Sequence, residues 1–420
     1  MPLASLMGAV WRIAPASVVF LLAASAAQAA DPIRIGFSMA LTGGLAGNGK
    51  QVLAGFEIWR EDVNARGGLL GRPVEFVYYD DQSNPANVPA IYSKLIDVDK
   101  VDLVLGPYAT NMIAPALTVI MQHNMVDVSV TGLAVNGLFH YPRYFSMISA
   151  GPTPKVAFSR GFFAIAAAQS PRPRAVAIVA ADAEFAKNAA DGARENAKAG
   201  GFTIVYDATY PPSTVDFAPI VRAIQATNPD IVYCAAYPPD TVGMIRAANE
   251  LGLSTKLFGG PMVGLPSATL KAQLGPLLNG IVTNELWLPS QKLNFPGVQA
   301  LLKKYQARAP RLTTDPLGYT FPVFSYAAGQ VLGEAVQATN GLDAEKLAAY
   351  LHSHEFTTVA GVFKFGPDGE WDQERVLWTQ FQHLTDNSIE QFRDGNKEVV
   401  VWPAEYKVGD VAYPYDEVRK

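Results

Sequence analysis

Cysteine is almost missing from this chain. Cys234 is the only one, so an intramolecular disulfide is excluded. Its place in the apolar run Ile231-Val232-Tyr233-Cys234-Ala235 marks it as a buried structural thiol rather than a reactive one. Histidine is scarce too. His123, His140, His352, His354 and His383 are dispersed, and the closest pair, two residues apart, would point to different sides of a helix. That spacing argues against a metal pair. There is no Gly-x-Ser-x-Gly elbow and no Gly-x-x-x-x-Gly-Lys-Ser/Thr phosphate loop. The glycine-rich stretch Gly43-Gly44-Leu45-Ala46-Gly47 lacks the Gly-x-Gly-x-x-Gly spacing of a dinucleotide site. Asp80 and Asp81, where a ribose-binding acid could stand, are then left to turn formation or helix capping. With no nucleophile–base pairing in view, neither an enzyme nor a cofactor is expected. Positive charge is not in excess: 33 Lys and Arg stand against 38 Asp and Glu, a net charge of −5. Nucleic acid is therefore disfavoured as a partner. Beyond residue 30 no apolar run is long enough to cross a bilayer.

What is present begins with the leader. Arg12 is the only charge in residues 1–30, an apolar run resumes after Pro15 as Val18-Val19-Phe20-Leu21-Leu22-Ala23-Ala24, and Ala27-Gln28-Ala29 precedes Ala30-Asp31. A charged start, an apolar middle and a small-x-small site have the layout of an export signal. The mature chain is expected to start at Ala30 or Asp31, in the periplasm. A retained anchor helix is the alternative. No cysteine follows the signal, which argues against a lipid anchor. The mature length exceeds one ordinary core and calls for two lobes.

Strands and helices alternate after Pro32. Residues 33–38 read as a buried strand, and Val52, Phe56, Trp59 and Val63 form the apolar stripe of a helix. Strands follow at 74–79, 101–106 and 125–130. Asn84-Pro85 offers an N-cap and a first-turn proline for a helix to about residue 96. The pattern restarts after Gly151-Pro152-Thr153-Pro154. Strands are expected at 175–180, 203–206, 231–235 and 257–259, with helices at 184–199, 216–226 (capped by Asp216) and 240–251. Such alternation implies parallel sheets covered on both faces. Helices at 296–309, 318–338 and 344–351 and strands near 361–365 and 377–383 close the chain.

Three ordered motifs carry a resemblance. Ile35-Gly36-Phe37-Ser38-Met39-Ala40-Leu41-Thr42-Gly43, the stretch Asn64-Ala65-Arg66-Gly67-Gly68-Leu69-Leu70-Gly71, and Tyr79-Asp80-Asp81-Gln82-Ser83-Asn84-Pro85 resemble the opening segments of branched-chain amino-acid-binding proteins. Asn228-Pro229-Asp230-Ile231-Val232 resembles a segment of their second lobe. The resemblance covers essentially the whole mature chain. It implies an α/β, type I periplasmic-binding-protein fold: two doubly wound parallel-sheet lobes joined by a three-segment hinge. On that pattern lobe 1 is 31–150 plus 285–357 and lobe 2 is 151–284 plus 358–420, with crossings near 150, 283–286 and 357–361. It also implies a solute receptor, monomeric, delivering its ligand to an ABC permease in the inner membrane. A sensory protein of the same fold, reporting solute occupancy to a membrane receptor, is the alternative.

The site follows from strand ends and from the resemblance together. Tyr108, Ala109 and Thr110 end a strand and open a helix, a place that favours an anion. Thr110 aligns with the hydroxyl residue that holds the ligand carboxylate in the family, or is a plain N-cap. Ser129, Thr131 and Gly132 end the next strand and could add donors, or be turn residues. Tyr237 aligns with a family tyrosine packing on the ligand, Phe185 replaces another, and Asn48 falls in the first loop stretch facing the cleft. Tyr319, Phe321 and Trp287 are open between pocket and core. Two departures bear on the ligand. Where amino-acid binders hold the ammonium group, this chain has Leu133 and Met262, so the expected ligand is an aromatic, branched oxo or fatty acid rather than a free amino acid. Where some relatives carry a disulfide, it has Ser83 and Ala109.

Overall fold

The computed structural model describes residues 31–419; the export signal expected in 1–30 lies outside them. Strand β1 (Ile33–Met39) is buried along its length apart from half-buried Arg34, as a strand covered on both faces must be. It pairs in parallel with β2 (Val74–Asp80) and β3 (Leu103–Leu105), and β4 (Asp127–Ser129) and β5 (Tyr144–Ser146) extend the sheet. The order is β2-β1-β3-β4-β5. A second parallel series, β6 (Ala175–Ala181), β7 (Thr203–Tyr210), β8 (Ile231–Ala235), β9 (Leu257–Gly260) and β10 (Val282–Glu285), repeats that winding as β7-β6-β8-β9-β10. A hairpin, β11 (Glu355–Thr358) and β12 (Gly361–Lys364), stands apart. The last strands, β13 (Leu377–Phe381) and β14 (Glu398–Trp402), add antiparallel to the β10 edge. Each parallel series reverses direction beside its first strand, between β1 and β3 and between β6 and β8. Crevices for ligands open beyond the carboxyl ends at such reversals.

The helix Ala46–Ala65 buries Val52, Phe56, Trp59 and Val63. Against this stripe lies the much later helix Thr320–Thr339. Their close approach depends on glycine: a Cβ on Gly329 would stand 2.3 Å from the Trp59 ring, and one on Gly55 would stand 2.0 Å from Ser325 Oγ. Those overlaps exceed what a packed core absorbs. Chain 270 residues downstream (Trp59 to Gly329, Gly55 to Ser325) is thus committed to the first sheet's layer. Asp80 and Asp81 serve turns. Asp80 accepts from the Thr42 hydroxyl at 2.7 Å and the Gln82 N–H at 2.8 Å, and Asp81 accepts from the Ser83 N–H at 3.0 Å.

Several expectations need correction. Asn84 does cap Ala86 N–H, but the helix beyond is broken into a 3₁₀ turn, an α segment Val88–Ser93 and a π turn Lys94–Val98. Asp216 is not the N-cap of Ala218–Ala226; Phe217 is, and Asp216 bonds the Ala218 N–H one step earlier. Strand β7 runs on to Tyr210. The helix Pro154–Ala167 begins at a proline that reads as a break but sits at a first-turn position, where no N–H is needed. The chain passes from the first sheet to the second between β5 and β6, leaves the second after β10, and returns to it between β12 and β13. The β11–β12 hairpin stays with the first sheet because Phe365 packs on Phe145 at 5.1 Å and Phe363 stacks on Trp371 at 3.9 Å. Ser146 N–H also donates to Gly369 O at 2.8 Å. Cys234 lies fully buried in β8, and burial pushes its thiol up. Among the described residues no helix is long and apolar enough to cross a membrane.

Candidate functional site

The loop after β3 is shaped by one strained residue. Ala109 takes φ 85° and ψ 141°, a conformation that costs a side-chain-bearing residue about 1–3 kcal/mol. It turns the Ala109 N–H onto Thr131 Oγ1 at 2.8 Å and starts the helix Thr110–Gln122 at the cleft. The N–H groups of Thr110 and Asn111, the first of that helix, have no acceptor among the described residues. Thr131, having accepted from Ala109, keeps its hydroxyl proton to give. Thr110 Oγ1 donates to Thr131 O at 3.1 Å and accepts from the Leu133 N–H at 3.2 Å. The two loops ending β3 and β4 are therefore laced into one cradle of amide and hydroxyl donors, at a helix N-terminus where negative charge is favoured.

The facing wall comes from the second sheet's reversal. Phe185 follows β6 and Tyr237 follows β8, their ring centroids 5.8 Å apart and nearly edge-on. The Tyr237 hydroxyl accepts from the Phe185 N–H at 3.3 Å and keeps its own proton to give. Phe158 packs behind Phe185 at 6.1 Å. On the first side Tyr108 meets Phe321 edge-on at 5.3 Å. Between cradle and wall lies a cavity of about 60 Å³, completed by Ile148, Val263, Pro266 and Leu286.

Of the residues expected at the site, Tyr108, Ala109, Thr110, Thr131, Phe185 and Tyr237 line this cavity, and Phe321 joins them. Five do not line it. Asn48 bridges the cleft instead, donating to the Tyr108 hydroxyl at 2.7 Å and to Val263 O at 3.0 Å. Ser129 lies behind Gly106, where a Cβ would meet its hydroxyl at 1.9 Å, and bonds Asp127 at 2.8 Å. Gly132 packs against the Tyr144 hydroxyl, which a Cβ would meet at 1.8 Å. Leu133 is fully buried, and its carbonyl accepts from Asn188 at 3.0 Å in a second cross-cleft bond. Met262 is fully buried in a β-bridge with Ala236. Tyr319 and Trp287 pack on each other at 5.7 Å outside the cavity lining.

A family model described as periplasmic binding protein matches residues 32–378. The chain belongs to that family. It is 26% identical over 355 residues to the Leu/Ile/Val-binding protein of Escherichia coli K12, covering 83% of this chain and 90% of that one. Among solved structures it is similar to a leucine-binding protein from Thermotoga maritima (TM-score 0.73, 17% identity, 85% of this chain and 96% of that one). It is also similar to a solute-binding protein of an ABC transporter from R. palustris in complex with benzoate (TM-score 0.73, 21% identity, 90% and 98%). The fold is thus the type I periplasmic-binding-protein fold, and the protein is a periplasmic substrate-binding component of ABC transport.

This periplasmic binding protein also has cavity residues that sequence reasoning missed: Asn284, Glu285 and Thr320. Glu285 is buried, and its Oε2 accepts from the Thr320 hydroxyl at 2.7 Å. Its Oε1 has no hydrogen-bond partner among the described residues and lies 4.0 Å from Lys271 Nζ. Lys271 is itself buried and paired with Glu398. Burial first, then Glu398, push its carboxyl above the usual carboxylate range against the pull of Lys271. The run Val282-Thr283-Asn284-Glu285-Leu286-Trp287 held the signal: an acid ending an apolar strand where the chain leaves the sheet.

Proposed function

We propose that this protein closes around a small carboxylate with an aromatic or branched apolar body and hands it to an ABC permease. The observation that carries this reading is the pairing of unspent donors, the Thr110 and Asn111 amides and the Thr131 hydroxyl, with an aromatic wall of Phe185 and Tyr237. Leu133 and Met262, the positions aligned with the ammonium partners of amino-acid binders, supply only buried apolar side chains. Glu285 already has the Lys271 ammonium 4.0 Å from its Oε1, and its other oxygen is bonded to Thr320. Leaving an ammonium unpaired in such a place costs on the order of 3–5 kcal/mol, more than about a hundredfold in affinity. The relatives named above are associated with branched-chain amino acids and with benzoate; a carboxylate is what those ligands share.

Closure supplies the signal. The Asn48–Val263 and Asn188–Leu133 hydrogen bonds join the two sides only when they meet. The crossings pair with each other at their centre, the Arg375 N–H donating to Ser149 O at 2.7 Å and Ser149 Oγ to Arg375 O at 2.9 Å. Rigid bodies turning about such a paired strip are a recurrent closing device, and a solute favours the closed form by its differential affinity for it.

A thermal-shift panel on the mature chain tests the reading. Benzoate, a branched 2-oxo acid and leucine are compared at equal excess, where a ligand at about a hundred times its Kd stabilises by about 2.7 kcal/mol. An aromatic or oxo acid should raise the melting temperature most. Leucine giving the largest rise would end the proposal.

A further inference from the structure

One short loop of the second side carries part of the cavity and is gripped at both ends by the first. Val263 and Pro266 line the cavity from the stretch between β9 and the helix Ala268–Leu274. At one end Val263 O accepts from Asn48 Nδ2 at 3.0 Å. At the other, Ser267 Oγ donates to Asp315 Oδ2 at 3.3 Å, and the Thr269 N–H donates to the same oxygen at 3.1 Å. Asp315 stands between the helices Val298–Leu312 and Thr320–Thr339, and the second of these packs on Ala46–Ala65 in the first sheet's layer. It is buried and fixed on its own side. Its Oδ1 accepts from the Leu317 and Gly318 N–H groups at 3.0 and 2.8 Å, and its carbonyl from the Tyr305 hydroxyl at 2.8 Å. Oδ2 is the oxygen turned to the opposite side.

Resting on the closure reading above, we infer that Asp315 is a positioning residue for ligand binding: its carboxylate clamps the loop 263–267 when the cleft closes and never touches the ligand. The loop moves as one piece. The Leu265 N–H donates to Met262 O at 2.9 Å and the Ser267 N–H to Gly264 O at 3.1 Å, and a Cβ on Gly264 would stand 3.1 Å from Thr241 of the second side. A motion that parts Asn48 from Val263 therefore carries Ser267 and Thr269 away from Asp315. Hydrogen bonds to a charged acceptor are stronger than neutral ones, so the Asp315 grip outweighs that of Asn48. Asp315 does not line the cavity. Its contribution falls on the closed form and is the same for every ligand that permits closure.

Ser267→Asp tests this. It sets a second carboxylate against Asp315 yet keeps a good cap for the Leu270 N–H, which Ser267 Oγ now accepts at 3.4 Å. Benzoate, 4-methyl-2-oxopentanoate and leucine are titrated calorimetrically into the mature wild-type chain, Ser267→Asp, Ser267→Asn and the double variant Ser267→Asp with Asp315→Asn. Ser267→Asp should weaken every acid that binds the wild type by at least about tenfold. The factor should agree between ligands within about twofold, and the loss should lie in the dissociation rate. Ser267→Asn, which keeps a donor toward Asp315, should stay within about threefold of the wild type. The double variant, with one carboxylate facing one amide donor again, should return to within about threefold as well. A Ser267→Asp chain that melts lower but binds as the wild type does would mean that the contact exists in open and closed forms alike, and would overturn the inference. A loss that differs strongly between ligands would put Asp315 in the pocket and overturn it also. Leucine as the tightest ligand, with a uniform loss, would end the carboxylate reading and leave the clamp standing. Binding of none of the three would remove both. Should Ser267→Asp fail to fold, Asp315→Asn alone decides, with a uniform weakening of about threefold or more expected and unchanged affinity overturning the inference.

Discussion

Thr110→Ala should weaken carboxylate binding by about ten- to a hundredfold, as read by calorimetry. The residue acts through the loop that it holds. Its hydroxyl donates to Thr131 O and accepts from the Leu133 N–H, so alanine releases the loop after β4. That loosens the Thr131 hydroxyl and disturbs the Thr110 and Asn111 amides beside it, and each hydrogen bond to a charged ligand is worth roughly 1.5–3 kcal/mol. Thr118→Ala is the control. Thr118 lies exposed on the same helix and bonds only Pro115 O, so affinity there should stay within about twofold, since nothing it touches reaches the cavity. Equal affinity in the two variants would take Thr110 out of the site.

Lys271→Met should be the most destabilising change near the cleft. Lys271 is fully buried with Glu398 as its bonded partner and Glu285 beside it. Removing Lys271 leaves buried Glu398 without its counter-charge, a change that typically costs about 3–5 kcal/mol. The apolar methionine stem would keep the packing on Phe381 and Phe392, so the loss reports charge rather than volume. Chemical denaturation should place the single variant well below the wild type. A double variant with Glu398→Gln should recover part of the difference, because it removes the stranded charge along with its partner. A single variant within about 1 kcal/mol of wild type would show that the triad is not an electrostatic unit.

The parallel strands were legible because each is a short continuous apolar run between turn residues, and the stripe at Val52, Phe56, Trp59 and Val63 because helix periodicity survives in a single segment. The cradle at Tyr108 to Thr110 was legible from its place at a strand end. What escaped depends on contacts far apart in sequence. Asn48 and Leu133 look like site residues in order along the chain, yet each spends a polar group on the opposite side of the cleft. Met262 and Gly132 are packed behind the lining by partners, Ala236 and Tyr144, that no local pattern names. Glu285 becomes informative only once Thr320, Lys271 and Glu398 gather around it from three other elements.

A crystal structure of the mature protein soaked with equal concentrations of benzoate and leucine tests the central claim most directly. The account predicts a carboxylate at the Thr110 and Asn111 amides with an aromatic ring against Phe185 and Tyr237. Leucine in the cavity, its ammonium seated on an ionised Glu285, would contradict it.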